Sequence, residues 1–473
     1  MSLDARTHQW SWTLTGLRGQ ALFLSALGLE ATSAVLGGAS QANALALMGV
    51  ELASLPLLYL GIRQLIAGPL PRGARWPLAL LGAMVALPLL QLIPLPPAIW
   101  ERLPGRGPVI EALRLANLGI GAQPFSLAPE ATWRSFLALA PPAAMFVGAL
   151  FLTGAQKRLM ALTWLGLAIA SLVLGVLQMI GGPDSPLYLY SITNPGAAVG
   201  LFANRNHNAA LLYALLPFAA VFAAELRRGA MDRRALTALL AALYIPLAVI
   251  GVAATNSRAG IVLLAPALLG ALAVAFRAGG LGRRWIVAAL IGGVSLLAIG
   301  AVVIFNFGPI LDRFGALKSD SEIRLDAWPI VLKAAGQVLP FGGGIGSFET
   351  LYRSAEPLTS VGPTYFNHAH NDYLEILLEA GWLGVTLLAA FLAWLAMGAW
   401  RIWIPPASSP SGLAAAATVT PLLLLAHSVV DYPLRTEAIA VLFAFACGNI
   451  ASEVGRAGLK AAPTARSRRP VRP

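Results

Sequence analysis

The sequence predicts an all-α polytopic membrane protein of about twelve transmembrane helices, with a large outer loop that contains helices between the ninth and tenth. Three observations predict it. Of 473 residues, 58% are hydrophobic and 11% charged, with mean hydropathy +0.73, whereas soluble domains carry roughly a quarter charged residues. Apolar runs recur at about the 20 residues that cross a hydrocarbon core about 30 Å thick. Basic residues gather in alternate connections, the pattern of cytoplasmic loops.

In chain order, the apolar runs fall at 20–38, 43–61, 76–93, 134–153, 157–180, 208–226, 235–254, 259–276, 285–306, 373–400, 413–430 and 436–452. Glu30 interrupts the first. An even number of crossings puts both termini on one side, and with the N-terminus inside, every inner loop from residue 62 onward is basic. Those loops hold Arg63, Arg72 and Arg75; Lys157 and Arg158; Arg227, Arg228, Arg233 and Arg234; Arg277, Arg283 and Arg284; and Arg401. The formal charge of +12 is therefore explained by topology. No aromatic-basic stripe or DNA-binding motif accompanies it, and no nucleic-acid partner is expected.

Cys447 is the only cysteine, so intrachain disulfides and cysteine zinc sites are excluded. The N-terminus lacks a small-residue cleavage pattern, and no removable signal peptide is expected. The basic stretch 456–473 is expected to be a disordered cytoplasmic tail.

The outer connections are longer and of mixed charge: 94–133, 181–207, the turn at 255–258 and the segment 307–371. The last is too long for a plain connector. Within it, SDSEIRLDAWPIVLKAAG predicts an amphipathic helix at the membrane surface, with Ile323, Ala327 and Val331 on one face.

Polar residues able to carry chemistry cluster on this outer side. In NHAHNDYLEILLEAGWLG, residues 367–384, the capping-box-like spacing of Asp372 and Glu375 starts a helix near Asn371 or Asp372. His370 then sits at a helix N-terminus, where the dipole favours a neutral imidazole able to accept a proton. Gly381 and Gly384 would let a neighbouring helix approach. His368 and His370 fit either a cap or acid–base chemistry, and no zinc-protease spacing surrounds them, so no metal is expected. Arg258, in TNSRAG, breaks the inside bias, as either an interfacial anchor or a functional cation. Arg324, on the amphipathic segment, is a solvated charge or a ligand for phosphate. Asp431, in AHSVVDYPLRT, either pairs locally with Arg435 or serves the site. Asn204, Arg205, Asn206, His207 and Asn208 crowd a helix entrance, as caps or as glycan or phosphate contacts. Arginines pair with phosphate and a neutral histidine deprotonates a hydroxyl.

Taken together, these motifs resemble the O-antigen ligase and polymerase superfamily. The resemblance rests on His370-Asn371 followed by Gly381 and Gly384, the SRAG turn, an arginine before Trp328, GGGIGSFETLY at 342–352 and Asp431-x-Pro433. It covers residues 195–455, with helices 1–194 matched only in being apolar. It implies a bacterial inner-membrane, metal-independent inverting glycosyltransferase with both termini cytoplasmic, a periplasmic site and no cofactor. The implied donor is an undecaprenyl-diphosphate-linked glycan, and the acceptor is lipid A-core for a ligase or another lipid-linked glycan for a polymerase. His370 is similar to the family's general base, Arg258 and Arg324 to its diphosphate grip, and Asp431 to a supporting acid. His368, Asn371, Asn204, Arg205, Asn206 and His207 are then candidate glycan or phosphate contacts. Arg313 and Arg353 share the loop with Arg324 and compete for its role. One dominant outer loop and about twelve helices favour the ligase. The contrasting class, a lipid-linked-glycan flippase, would place charges at mid-membrane and repeat its halves, and neither pattern is evident.

Overall fold

A computed structural model describes residues 4–224, 233–279, 317–361, 366–404 and 411–460. Its helices are α1 (Asp4–Leu36), α2 (Ala44–Ala67), α3 (Arg75–Gln91), α4 (Pro97–Trp100), α5 (Gly107–Leu115), α6 (Pro129–Leu137), α7 (Ala140–Phe151), α8 (Gly154–Ile180) and α9 (Arg205–Ala214). They continue as α10 (Leu216–Ala223), α11 (Arg233–Ala254), α12 (Arg258–Gly279), α13 (Leu317–Val338), α14 (Phe348–Ala355), α15 (Asp372–Trp403), α16 (Gly412–His427) and α17 (Glu437–Lys460). The protein is an all-α polytopic membrane protein. Among the described residues, nine helical segments are long and apolar enough to cross a bilayer, and Arg75–Gln91 and Gly412–His427 are shorter apolar helices. The expected helix at 285–306 and the tail from 461 lie outside the described residues.

The centre of the bundle is the broken helix α9–α10. Its residues 206–223 are all buried, and Pro217 opens the second half. Around it pack α11, α12 and α16, while α17 packs against α7 and α1. Glycine sets the closest of these approaches: a Cβ on Gly260 of α12 would lie 2.7 Å from the Cβ of Ala209 on α9. Without a side chain there, the start of α12 can lie directly on α9.

A smaller layer covers one end of the bundle. The helix expected at the amphipathic segment forms as α13; Ala327 and Val331, expected on one face, are both buried, and the side chain of Ile323 lies outside the described residues. It packs against Phe348, Leu351 and Tyr352 of α14, and against Ala369 and Leu378. A short antiparallel pair, β1 (Pro94–Leu95) and β2 (Gln123–Pro124), ties the earlier outer segment. Arg106 is buried there between Trp100 and Phe125, and burial pulls its guanidinium down to about 10.

The glycines of the 342–346 run serve the joint between this layer and α15. Gly342, Gly344 and Gly346 all have positive φ, as does Gly381 inside α15 (φ +57°, ψ −150°). That interruption frees the carbonyls of Leu378 and Glu379 from the helical ladder. They accept instead from Gly343 N–H (2.9 Å) and Gly344 N–H (2.8 Å), and Trp382 N–H donates to Pro340 O (3.0 Å). A Cβ on Gly381 would lie 2.2 Å from Pro340 O, so only glycine fits. The expectation that Gly381 and Gly384 admit a neighbouring helix is corrected here. Gly381 admits the 340–342 loop, and Gly384 is crowded by Ala380 and Ile376 of its own helix.

Candidate functional site

Asn371 is the N-cap of α15, its side-chain oxygen accepting from the N–H groups of Tyr373 and Leu374 at 3.1 Å each. The cap is thus Asn371 itself, and Asp372 and Glu375 are released for other partners. One residue earlier, His370 takes φ +50°, a left-handed conformation rare for a residue with a Cβ and often found at functional sites. Its Nδ1 lies 3.1 Å from Asp431 Oδ1. The ring is nearly buried and the carboxylate wholly so, at 13% and 0% exposure.

Asp431, in the turn between α16 and α17, is held on both oxygens. Oδ1 also accepts from the Tyr432 N–H at 3.0 Å, and Oδ2 accepts from the side-chain amide of Asn206 at the start of α9. His427 Nε2 stands 4.0 Å from Oδ2, and its Nδ1 is 2.7 Å from the Tyr213 hydroxyl. Burial raises the Asp431 carboxyl, but the His370 hydrogen bond and the imidazoles of His207, His370 and His427 outweigh it. The group is held well below the usual carboxylate range. A carboxylate only accepts, so His370 Nδ1 must carry a proton and, in the neutral ring, Nε2 presents the lone pair.

Beside this dyad stands a second. His368 Nδ1 lies 2.8 Å from Glu375 Oε1, and the Ala369 N–H donates to Glu375 Oε2 at 2.8 Å. The Tyr432 ring stands between the two histidines, with centroids 4.4 Å from His368 and 4.9 Å from His370.

Arg435 does not pair with Asp431, contrary to the local alternative left open above. It reaches across to α15 and meets Asp372 Oδ1 (3.0 Å), Glu375 Oε1 (3.2 Å) and Glu379 Oε2 (3.3 Å). Burial lowers the guanidinium pKa, but the three carboxylates outweigh it and drive it above its ordinary value. Glu379 Oε1 in turn accepts from the N–H groups of Gly346 (2.9 Å) and Phe348 (3.3 Å). This cage fastens α15, the α16–α17 turn and the outer layer together.

The 204–208 cluster divides by role. Asn204 caps α9 through the Asn206 N–H at 2.9 Å, and Arg205 N–H donates to the Asn194 side chain at 3.0 Å. His207 is buried with Nδ1 2.6 Å from Thr436 Oγ1, and Asn208 bonds Ser171 (2.8 Å) and Ala198 O (2.9 Å). Of the five, Asn206 meets the His370–Asp431 dyad directly. Arg258 is the first residue of α12, whose N-terminus Ser257 caps through the Gly260 N–H at 3.1 Å. That end of α12 rests on α9, so Arg258 lies at the same end of the bundle as Asn206. Arg353 pairs with Glu349 at 2.6 Å. Arg324 is on α13, but its side chain lies outside the described residues, as does Arg313.

The opposite end carries cations of the loops predicted to be cytoplasmic. Lys157, near the start of α8, bonds Ser452 of α17, and Arg277, near the end of α12, caps the carbonyls of Ile402 (2.6 Å) and Trp403 (3.1 Å). Among the described residues, no three histidines, cysteines or carboxylates converge as metal ligands do.

Sequence reasoning missed the role of some participants and the presence of others. The acids at 372, 375 and 379 recur at three- and four-residue spacing, which marks one helix face. Arg435 breaks the inside bias as plainly as Arg258 does. Both signals were legible, but Gln41, which reaches His368, had none. No curated protein matches the chain. The family model described as O-antigen ligase matches residues 243–389, which include Arg258, His368, His370 and the three acids of α15. Residues 243–389 therefore match the O-antigen ligase family, which supports the resemblance to the O-antigen ligase and polymerase superfamily.

Proposed function

We propose that the protein is an inner-membrane glycosyltransferase that moves an undecaprenyl-diphosphate-linked glycan to lipid A-core on the periplasmic face. The observation that carries this reading is the His370–Asp431 dyad, a nearly buried imidazole oriented by a buried carboxylate. The acceptor hydroxyl gives its proton to His370 Nε2 as its oxygen attacks the anomeric carbon of the donor. The bond from that carbon to the phosphate oxygen breaks, and its electron pair leaves with the diphosphate. Arg258 offsets the charge that grows on the leaving group, with Arg324 as its candidate partner. Direct attack inverts the anomeric centre. His427, Asn206 and the Tyr432 N–H act on Asp431 and so position the base without touching substrate. No step calls for a metal or a nucleotide.

Polymerisation would use the same donor and base and differ only in the acceptor. Purified protein in proteoliposomes, given undecaprenyl-diphosphate glycan with lipid A-core and a lipid-linked repeat unit in competition, should form the lipid A-core product. Extension of the repeat unit instead would assign polymerisation, and the absence of both products would overturn the reading.

A further inference from the structure

The α1–α2 turn, residues 37–43, precedes the matched domain by about 200 residues, yet it reaches the site. Its backbone is docked on two sides, with Ala438 N–H donating to Gly37 O (3.2 Å) and Ala203 N–H donating to Gly38 O (2.9 Å). Close approach demands both glycines: a Cβ on Gly38 would lie 2.2 Å from Leu201 O, and one on Gly37 2.9 Å from Ala438 N. Within the turn, the Asn43 N–H donates to Ser40 O at 2.9 Å, and the Ser40 hydroxyl donates to the Asn43 side chain at 3.1 Å. From this fixed platform Gln41, itself exposed, places its Nε2 3.4 Å from His368 Nε2.

His368 is oriented for such a contact. Glu375 accepts from its Nδ1 and is itself fixed by Arg435 at 3.2 Å, so in the neutral ring Nε2 offers a lone pair to the Gln41 amide. The amide keeps a second N–H and a carbonyl for other partners. The exposed Gln41 amide, held by His368, thus offers an uncharged donor and an uncharged acceptor. That set complements a sugar ring with its hydroxyls. A diphosphate instead calls for cations, and Arg435, which holds the Glu375 partner of His368, is engaged by three carboxylates.

We infer that Gln41, positioned by His368, forms the saccharide subsite for the acceptor, holding its sugar so that the attacking hydroxyl meets His370 Nε2. The inference rests on the transfer reaction proposed above. It gives the N-terminal helices a part in acceptor choice. In proteoliposomes with undecaprenyl-diphosphate glycan, Gln41→Ala should raise KM for the acceptor that the competition assay selects by about two- to tenfold, the range for one lost hydrogen bond. KM for the donor should stay within about twofold, a split that a general loss of folding would not produce. An unchanged acceptor KM, or a donor KM that rises by the same factor, overturns the subsite. His370→Ala measured alongside separates the two claims. Transfer that survives in His370→Ala overturns the base, whereas transfer lost there with Gln41→Ala indistinguishable from wild type overturns the subsite alone.

Discussion

His370 holds a left-handed backbone, φ +50°, at a cost of order 1–3 kcal/mol. The conformation is maintained because the following residue caps α15 and the ring is anchored on Asp431. Asp431 fixes which nitrogen carries the proton, and this predicts the effect of Asp431→Asn. The asparagine amide can donate to Nδ1, which moves the ring proton to Nε2 and removes the base. Transfer should fall by about 10²–10⁴-fold, with membrane insertion unchanged, as measured by initial rates in proteoliposomes. Rates near wild type would sink the proposed role of the carboxylate. The sign of the pH dependence follows from the depressed Asp431 pKa. Its contribution to stability is fully present above the unfolded carboxylate value of about 4 and is lost only as pH falls through the lower folded value. A loss of transfer above about pH 5 therefore reports a group other than Asp431.

α15 enters the site, breaks at Gly381 and continues to Trp403. The break lets the 340–344 loop bond to carbonyls the helix has released, and Arg435 then locks the first two turns of α15 to the α16–α17 turn. Removing one partner of a buried charge cluster leaves the others uncompensated, which costs about 3–5 kcal/mol. Arg435→Ala should therefore lower the melting temperature in detergent markedly, with Arg435→Lys between it and wild type. An unchanged melting temperature in Arg435→Ala would show that the cage contributes nothing to holding these elements together. The position of the helix start was legible from Asp372 and Glu375, but their role was not. Those acids face an arginine about 60 residues away, and no local pattern encodes that meeting.

Across the whole molecule, hydropathy and loop charge were enough to identify an all-α membrane bundle, because span length and the basic bias are imposed by the bilayer. They also separated its ends: Lys157 and Arg277 lie opposite His370, Arg258 and Asp431. What sequence could not convey is convergence in space. Asn206 and Asp431 are 225 residues apart and share a hydrogen bond, and Gln41 meets His368 across 327 residues. Such pairs depend on how α9, α15 and the turns pack, which apolar periodicity leaves open because lipid and protein favour the same side chains. Glycan transfer at this end of the bundle is proposed to use His370 as its base. Its most direct test is the initial rate of His370→Ala in proteoliposomes supplied with undecaprenyl-diphosphate glycan and acceptor. The expected result is a loss of at least about 10²-fold with normal insertion, and transfer at the wild-type rate would rule out His370 as the base.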